Sequence, residues 1–418
     1  MFRVLFVDDE PQILNGLRWM LSGSKERWQV LFAGSGSLAL QMMEVSPVDV
    51  IVSDIRMPEM TGPQLLREVR RLYPATARVV LSGFADEAMI RDTIGVAHQF
   101  LSKPCDAGAI EQVVRALAAA RVRFPVAELR RMAGDGTCIA CAGTDRARLL
   151  EEVADPAATV RTIGAIVRGD LGMAARTLHL VNSAFFGISR CVGCPEHAVQ
   201  LLGVERLRAL ATSATAFPGV RAGDDPGFRE PAVALHAERV AALARAIVEA
   251  EGGSKAMVEQ ARLAAQLHDV GRLMLAAEFP ARYRAVVDRS SAADREEVER
   301  GEFGASHAEV GAYLVSLWGL DGEIAGAIAN HHRPATCAAG FSVLTALHAA
   351  DALVGEASGD RHTALDREYL AAIGLGDRVA GWSALQAAGA SVVAPPATVG
   401  AGDDPAREAT RAAWPSDA

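Results

Sequence analysis

The stretch VIVSDIRMPEMTG, residues 50–62, decides how the first part of the chain is read. Its first four residues are a short, β-branched apolar run that stops on Asp54, ahead of a proline and a glycine. A run of this length between turn residues reads as a buried strand. VLFV (4–7), VLFA (30–33), VVLS (79–82) and HQFLS (98–102) have the same character, and the segments between them carry the i, i+3, i+4 apolar spacing of helices. Strict alternation of this kind predicts an α/β doubly wound, five-stranded parallel sheet with helices on both faces. Ligands of such sheets sit beyond the carboxyl ends of the strands, which makes the polar residues there the ones to inspect.

Strand one is followed by Asp8 and Asp9, strand three by Asp54, strand four by Ser82, and strand five by Lys103 and Pro104. Three carboxylates, a hydroxyl and an ammonium would share one pocket. A hard cation such as Mg²⁺ takes oxygen ligands of this type, and a carboxylate can accept a phosphoryl group while the metal and a lysine neutralise its oxygens. The chain has only three lysines, at 25, 103 and 255, and one falls where a compact point charge is needed.

The motifs VDDE, SDIRMPEMTG, LSGFAD and FLSKP make residues 1–121 resemble a response-regulator receiver domain, of flavodoxin-like fold. The resemblance implies that Asp54 is the phosphoacceptor, with Mg²⁺ held by Asp8, Asp9, Asp54 and the Arg56 carbonyl. It implies that Lys103 pairs with the phosphoryl group, that Ser82 moves to bond it, and that Phe100, at the aromatic switch position, follows inward. Phenylalanine there offers no hydroxyl to a partner. A sensor histidine kinase or phosphotransfer protein would supply the phosphoryl group. The face formed by the fourth helix and fifth strand would then change how the receiver docks on the rest of the chain, on a second copy as a homodimer, or on a partner.

At 418 residues the chain should hold two or three domains. Half the residues are hydrophobic and 22% charged, and the net charge of −9 gives no general footprint for nucleic acid or an anionic membrane. Aromatic residues are 5% of the total, too few for a base-stacking platform, so no direct nucleic-acid partner is expected. The opening MFRVLFVDDEP reads as neither signal peptide nor membrane span, and no uncharged apolar run of about 20 residues follows. A cytoplasmic protein is expected, its six cysteines thiols. Cys138 with Cys141 and Cys191 with Cys194 form two CxxC pairs, but their wide separation does not suit a zinc ribbon.

From about Phe124 the strand signals stop and amphipathic Ala-, Leu- and Arg-rich segments take over. Residues 122–135 read as a linker, 136–385 as an all-α domain, and the Ala/Pro/Gly-rich 386–418 as a disordered tail. AFPGVRAGDDPGFREP (216–231) reads as a loop dividing the helical half. Within QLHDVGRLML (266–275), His268 and Asp269 form an HD dyad on a helix. An earlier His236 and a later Asp351 would complete four ligands. Imidazole with carboxylate suits Mn, Fe or Zn and could activate water against a phosphodiester. His307, His331 and His332 are possible accessory ligands, and His348 lies near Asp351 in sequence.

HLVNSAFFG (179–187), AVQLLGVERLRALA (198–211), LHDVGRLML, FGASHAEVGAYLVSLWGL (303–320), NHHRP (330–334) and LHAADALV (347–354) together resemble an HDOD domain, an HD-related helical output module. That resemblance implies a signalling module which docks a downstream protein. The retained H…HD…D order keeps a second reading open, a metal-dependent phosphohydrolase of nucleotides or cyclic dinucleotides. No Gly-Tyr-Pro loop follows the double histidine, which separates the chain from the HD-GYP class.

Overall fold

The computed structural model describes residues 1–22, 28–82, 93, 95–105, 107–135, 139, 141, 143–183, 191–212, 217, 231–290, 294–320, 322–336, 340–358 and 363–390. All five expected runs are strands: β1 Phe2–Val7, β2 Trp28–Ala33, β3 Val50–Asp54, β4 Ala77–Ser82 and β5 Gln99–Ser102. Every pairing is parallel and the order is β2-β1-β3-β4-β5, which leaves the four-residue β5 at an edge with β4 as its neighbour. Helices α1 Pro11–Ser22, α2 Gly36–Val45, α3 Gly62–Leu72 and α4 Ala107–Arg123 complete the described part of this half.

The pleat sorts the strand residues into two cores, because successive side chains point to opposite faces. Leu5, Val7, Ile51, Val80 and Phe100 pack on one face with Leu65, Leu66 and Val69 of α3. Val4, Phe6, Val50, Val52, Val79, Leu81 and Leu101 pack on the other with Ile110, Val114 and Leu117 of α4. The second core continues through Ala120, Phe124, Met132 and Ala133 into the helical half without a break.

That continuity corrects the reading of 122–135 as a linker. Helix α4 runs to Arg123, and α5 Ala127–Asp135 follows after three residues. Phe124 is buried and lies edge-on to Tyr313, with ring centroids 5.6 Å apart. Gly134 packs so tightly that a Cβ would sit 1.8 Å from the Pro74 carbonyl oxygen. An apolar stripe of this kind has no reason to stay in water when the apolar face of the helix His307–Leu317 is within reach.

The remainder is helical: α6 Gly143–Ala154, α7 Val160–Gly169, α8 Leu171–Asn182, α9 Pro195–Leu202, α10 Val204–Thr212, α11 Pro231–Ala250, α12 Lys255–Leu267, α13 Val270–Glu278, α14 Pro280–Arg289, α15 Arg295–Phe303, α16 His307–Leu317, α17 Gly322–Asn330, α18 Val343–Ser358, α19 Arg367–Ala372 and α20 Val379–Ala390. Helix α20 carries residues 386–390, which composition had assigned to the tail; 391–418 lie outside the described residues, as does nearly all of the 216–231 segment. No helix among the described residues is long and apolar enough to cross a membrane.

A polar seam joins sheet edge and helices. Gln99 Nε2 donates to the Leu317 carbonyl at 3.0 Å, His179 Nε2 donates to the His98 carbonyl at 2.9 Å, and Arg78 donates to the Gly134 carbonyl. His179 also stacks on Trp318, with ring centroids 4.4 Å apart.

Candidate functional site

The strand-end residues converge as the topology requires. Lys103 Nζ donates to Asp8 Oδ2 at 2.8 Å and also to Asp54 Oδ1. Asp8 is buried, its other oxygen accepting from the Glu10 amide at 2.9 Å, while Asp54 Oδ2 accepts from the Arg56 amide at 2.8 Å. Asp9 is half-buried beside them. Burial works against the charge on Lys103, but its hydrogen bonds to Asp54 and Asp8 outweigh that and raise its pKa. Ser82 ends β4, paired with Ser102 of β5. Phe100 is already buried in this structure, so the expected inward motion would not start from an exposed ring. Thr61 caps α3 reciprocally with Gln64, and a Cβ on Gly62 would meet the Asp54 carbonyl at 2.0 Å, which fixes the loop under Asp54.

The second cluster lies within the helical half, where Asp269 and Asp351 are almost fully buried. The HD dyad is not inside a helix, as expected, but at a break. Helix α12 ends at Leu267, Asp269 takes φ −98°, ψ 5°, and α13 starts at Val270. The break turns both side chains inward. Gly271 then lets α13 press on the start of α16, where a Cβ would lie 2.0 Å from the His307 carbonyl oxygen. A reciprocal cap between Ser306 and Glu309 fixes that start, placing His307 on the first turn. His236 comes from α11, Asp351 from the middle of α18, and His331 and His332 from the turn after α17.

Four imidazoles commit the same ring atom. His268 Nδ1 donates to the Ala265 carbonyl, His331 Nδ1 to the Ile328 carbonyl, His307 Nδ1 to Glu299 Oε2, and His332 Nδ1 to the Thr363 hydroxyl, at 2.6–2.8 Å. Thr363 in turn donates to Asp351 Oδ2. That leaves the Nε2 atom of each ring for the contacts within the cluster. His307 Nε2 and His332 Nε2 stand 3.0 Å apart, and His331 Nε2 and Asp269 Oδ1 are buried without a hydrogen-bond partner. His236 Nε2 lies 2.9 Å from Asp351 Oδ1. The two oxygens of Asp269 face different histidines, His268 Nε2 and His307 Nε2, each at 3.5 Å.

Charge is unbalanced in the same place. Among the described residues of this cluster, Asp269, Asp351 and Glu299 are buried carboxylates and Arg272 is a buried guanidinium, 3.0 Å from Asp269. Burial pushes the Asp269 carboxyl upward, but Arg272, His268 and His307 hold it well below the usual range; His236 does the same for Asp351. Burial foremost, then His268, lowers His331 to about 3, and burial with His331 and His307 lowers His332. Burial also opposes protonation of His236, yet its bond to Asp351 carries its pKa upward. Neutral imidazoles and ionised carboxylates are the forms that bind metal.

Three overlapping groups have ligand atoms within 4.8 Å of one another: His236, His268 and Asp351; His268, Asp269 and His331; His307, His331 and His332. All four H…HD…D residues and all three accessory histidines are therefore brought together. His348 is not, because its Nδ1 donates to the His331 carbonyl and its Nε2 accepts from the Asp366 amide. No cysteine joins a metal-competent group among the described residues, and Cys138 lies outside them. Sequence reading missed Arg272, Glu299 and Thr363. A cavity of about 220 Å³ opens beside the cluster, lined by Arg272, His307, His332 and Thr363, with Arg295 and Arg333 and the acidic Asp294, Glu296 and Glu297 among its other walls.

Residues 4–115 match the family model of the response regulator receiver domain, and residues 145–334 that of the HDOD domain. Among curated proteins the chain is 41% identical over 105 residues to the sensor kinase CckA of Brucella abortus, covering 24% of this chain and 11% of that one. It is 34% identical over 129 residues to the transcriptional regulatory protein KdpE of Mycobacterium tuberculosis, covering 31% and 55%. The chain thus spans from about a tenth to about half the length of these relatives. Among solved structures, the MmoQ response regulator of Methylococcus capsulatus aligns with TM-score 0.46 and 21% identity, covering 59% of this chain and 98% of that one.

Proposed function

We propose that this chain, a two-component response regulator joining a receiver domain to an HDOD domain, accepts a phosphoryl group on Asp54 and carries a transition-metal centre in its helical half. The phosphoryl group would come from a sensor histidine kinase or phosphotransfer protein, with Mg²⁺ held by Asp8, Asp9, Asp54 and the Arg56 carbonyl. The observation that carries the metal reading is the convergence of Nε2 and carboxylate oxygen atoms within 4.8 Å of one another in three overlapping groups, with two Nε2 atoms 3.0 Å apart. A proton on one ring, or a metal ion ligated by both, satisfies this contact, and the buried carboxylates around it favour a cation there. Three buried carboxylates beside the Arg272 guanidinium ask for the same compensation.

The outer two ligand groups share no residue, and Asp269 stands between them with one oxygen toward each, which suits a pair of ions, Mn, Fe or Zn. His236, His268 and Asp351 would hold one ion and His307, His331 and His332 the other. Glu299 and Thr363 would orient their imidazoles from behind.

A second reading, phosphate-ester hydrolysis, rests on the cavity against His307 and His332, whose walls carry Arg272, Arg295 and Arg333 together with Asp294, Glu296 and Glu297. Its volume of about 220 Å³ falls below the ~300–1,000 Å³ of ordinary ligand sites, which suits one phosphate group with part of its ester. A bound metal supplies a water of lowered pKa there. Arg272, Arg295 and Arg333 would hold the phosphate, and Thr363 keeps His332 in register.

Two measurements test these readings. With a small acyl-phosphate donor and Mg²⁺, the wild-type chain should be labelled and the Asp54→Asn variant should not; a labelled variant would remove the phosphoacceptor assignment. With Mn²⁺, aryl phosphate mono- and diesters should be turned over by the wild type but not by Asp351→Ala. Equal background rates would leave the helical half as a docking module for a downstream protein.

A further inference from the structure

The receiver and the histidine cluster are joined by two rigid elements that meet end to end. Strand β5 is four residues long, at the sheet edge, and leads directly into Lys103, whose ammonium bridges Asp8 and Asp54. Its other end carries Gln99, whose amide donates to the Leu317 carbonyl at 3.0 Å. Leu317 is the last residue of α16, and α16 begins at His307. A carbonyl in the last helical turn has no partner within its own helix, so the bond from Gln99 satisfies an otherwise orphaned group.

The junction is built closely. Gly319 follows α16 at φ 78°, a conformation that favours glycine, and a Cβ there would stand 2.8–3.1 Å from the Gln99 side-chain atoms. The helix ends in a glycine turn, with the Gly319 amide on the Ser316 carbonyl and the Leu320 amide on the Val315 carbonyl, both at 3.1 Å. Next to it, His179 stacks on Trp318 and donates to the His98 carbonyl, so Gln99 at the start of β5 and the residue before it are both gripped. Along its length α16 packs against α4 and α5, and at its head against α13 across Gly271.

We propose that phosphorylation of Asp54 changes the metal affinity of the histidine cluster through this path: Lys103, β5, Gln99, then α16 as a rod that moves His307. The proposal rests on the metal reading above and adds its regulation. When a carboxylate oxygen of Asp54 forms the P–O bond and the donor's leaving group departs, the carboxylate charge that Lys103 now pairs with passes to the phosphoryl oxygens, and Lys103 re-seats on them. The strand attached to it is paired in the sheet on one side, through β4, and can shift without breaking a second ladder. Helix α16, 11 residues and so about 16 Å long, is stiff enough to carry a displacement at Leu317 to His307. His307 Nε2 is 3.0 Å from His332 Nε2 and 3.5 Å from Asp269, distances at which a small displacement alters ligation. Gln99 and α16 are positioning elements in this scheme; neither touches the phosphoryl group.

The test is a Co²⁺ titration of the full chain at saturating Mg²⁺, followed by the visible absorption of histidine-ligated cobalt, with and without a small acyl-phosphate donor. Wild type should show a change in Co²⁺ affinity of about fivefold or more on phosphorylation, and Asp54→Asn none. Gln99→Leu should still be labelled at Asp54 and still bind Co²⁺, but lose most of the change. Because coupling is reciprocal, Co²⁺ should also alter the lifetime of the phosphoryl group in wild type and not in Gln99→Leu. A wild-type affinity indifferent to phosphorylation would overturn the coupling, and a full change retained in Gln99→Leu would overturn the route. Absence of any cobalt–histidine band would instead sink the metal reading, and this proposal with it.

Discussion

Gly271 shows how a single position can serve a site it does not belong to. A methyl group there would collide with the His307 carbonyl oxygen at 2.0 Å and the Gly311 amide at 2.8 Å, and backbone cannot move aside as a flexible side chain can. In an exposed helix Gly→Ala gains about 1 kcal/mol, whereas here the overpacking should dominate and cost about 2–3 kcal/mol. Gly271→Ala is therefore expected to lower the denaturation midpoint and weaken metal uptake while leaving Asp54 labelling intact. Glu299 serves the site differently, accepting from both the amide and Nδ1 of His307 at 2.7 and 2.6 Å. Glu299→Gln should reduce metal affinity about 10–100-fold, measured by competition with a chelator. The clustered histidines and aspartates were legible, since they stand out in H…HD…D order against an apolar background. Glu299, Arg272 and Thr363 were not, because each acts through a contact made in space and none belongs to a spaced motif.

At the scale of elements, the sheet was the most legible feature. Parallel strands buried on both faces leave near-continuous apolar runs, so VLFV, VIVS and VVLS announce themselves without help from periodicity. Ends were less clear: β1 and β2 each begin two residues before the apolar runs that marked them, and β5 begins at Gln99, after His98. Helix α5 was missed altogether. Its buried residues, Met132 and Ala133, make sense only against α16, α13 and α3, helices distant in sequence that no local pattern reveals. The HD dyad was read as helical because nothing in QLHDVGRLML, neither proline nor an interrupting run of polar residues, marks the break at His268 and Asp269. Phe124, between α4 and α5, tests whether this region is a hinge or a joint. Phe124→Ala should cost about 3–5 kcal/mol in global stability, by denaturant titration followed through probes in both halves. A loss confined to one half would show that the shared core does not make them one cooperative unit.

For the whole molecule, the seam between sheet edge and helices carries a pH dependence of fixed sign. Burial holds His179 down to about 4, against an ordinary value of 6.5, and holds His98 well below it as well. The unfolded chain thus takes up protons that the folded chain refuses. Stability contributed by His179 is complete above pH 6.5 and is lost as pH falls toward 4, by about 3 kcal/mol. His179→Phe, which keeps a ring on Trp318 but cannot protonate, should flatten the denaturation midpoint between pH 6.5 and 4 relative to wild type. The account as a whole stands on the claim that the inward-facing histidines and aspartates hold metal. Elemental analysis of the full chain, purified without chelator, addresses it most directly. At least one equivalent of Mn, Fe or Zn should be present in wild type and fall to background in His268→Ala and Asp351→Ala, with Asp54 still accepting phosphoryl in both. A wild-type chain that holds no transition metal, and takes none up on dialysis against these ions, would contradict it.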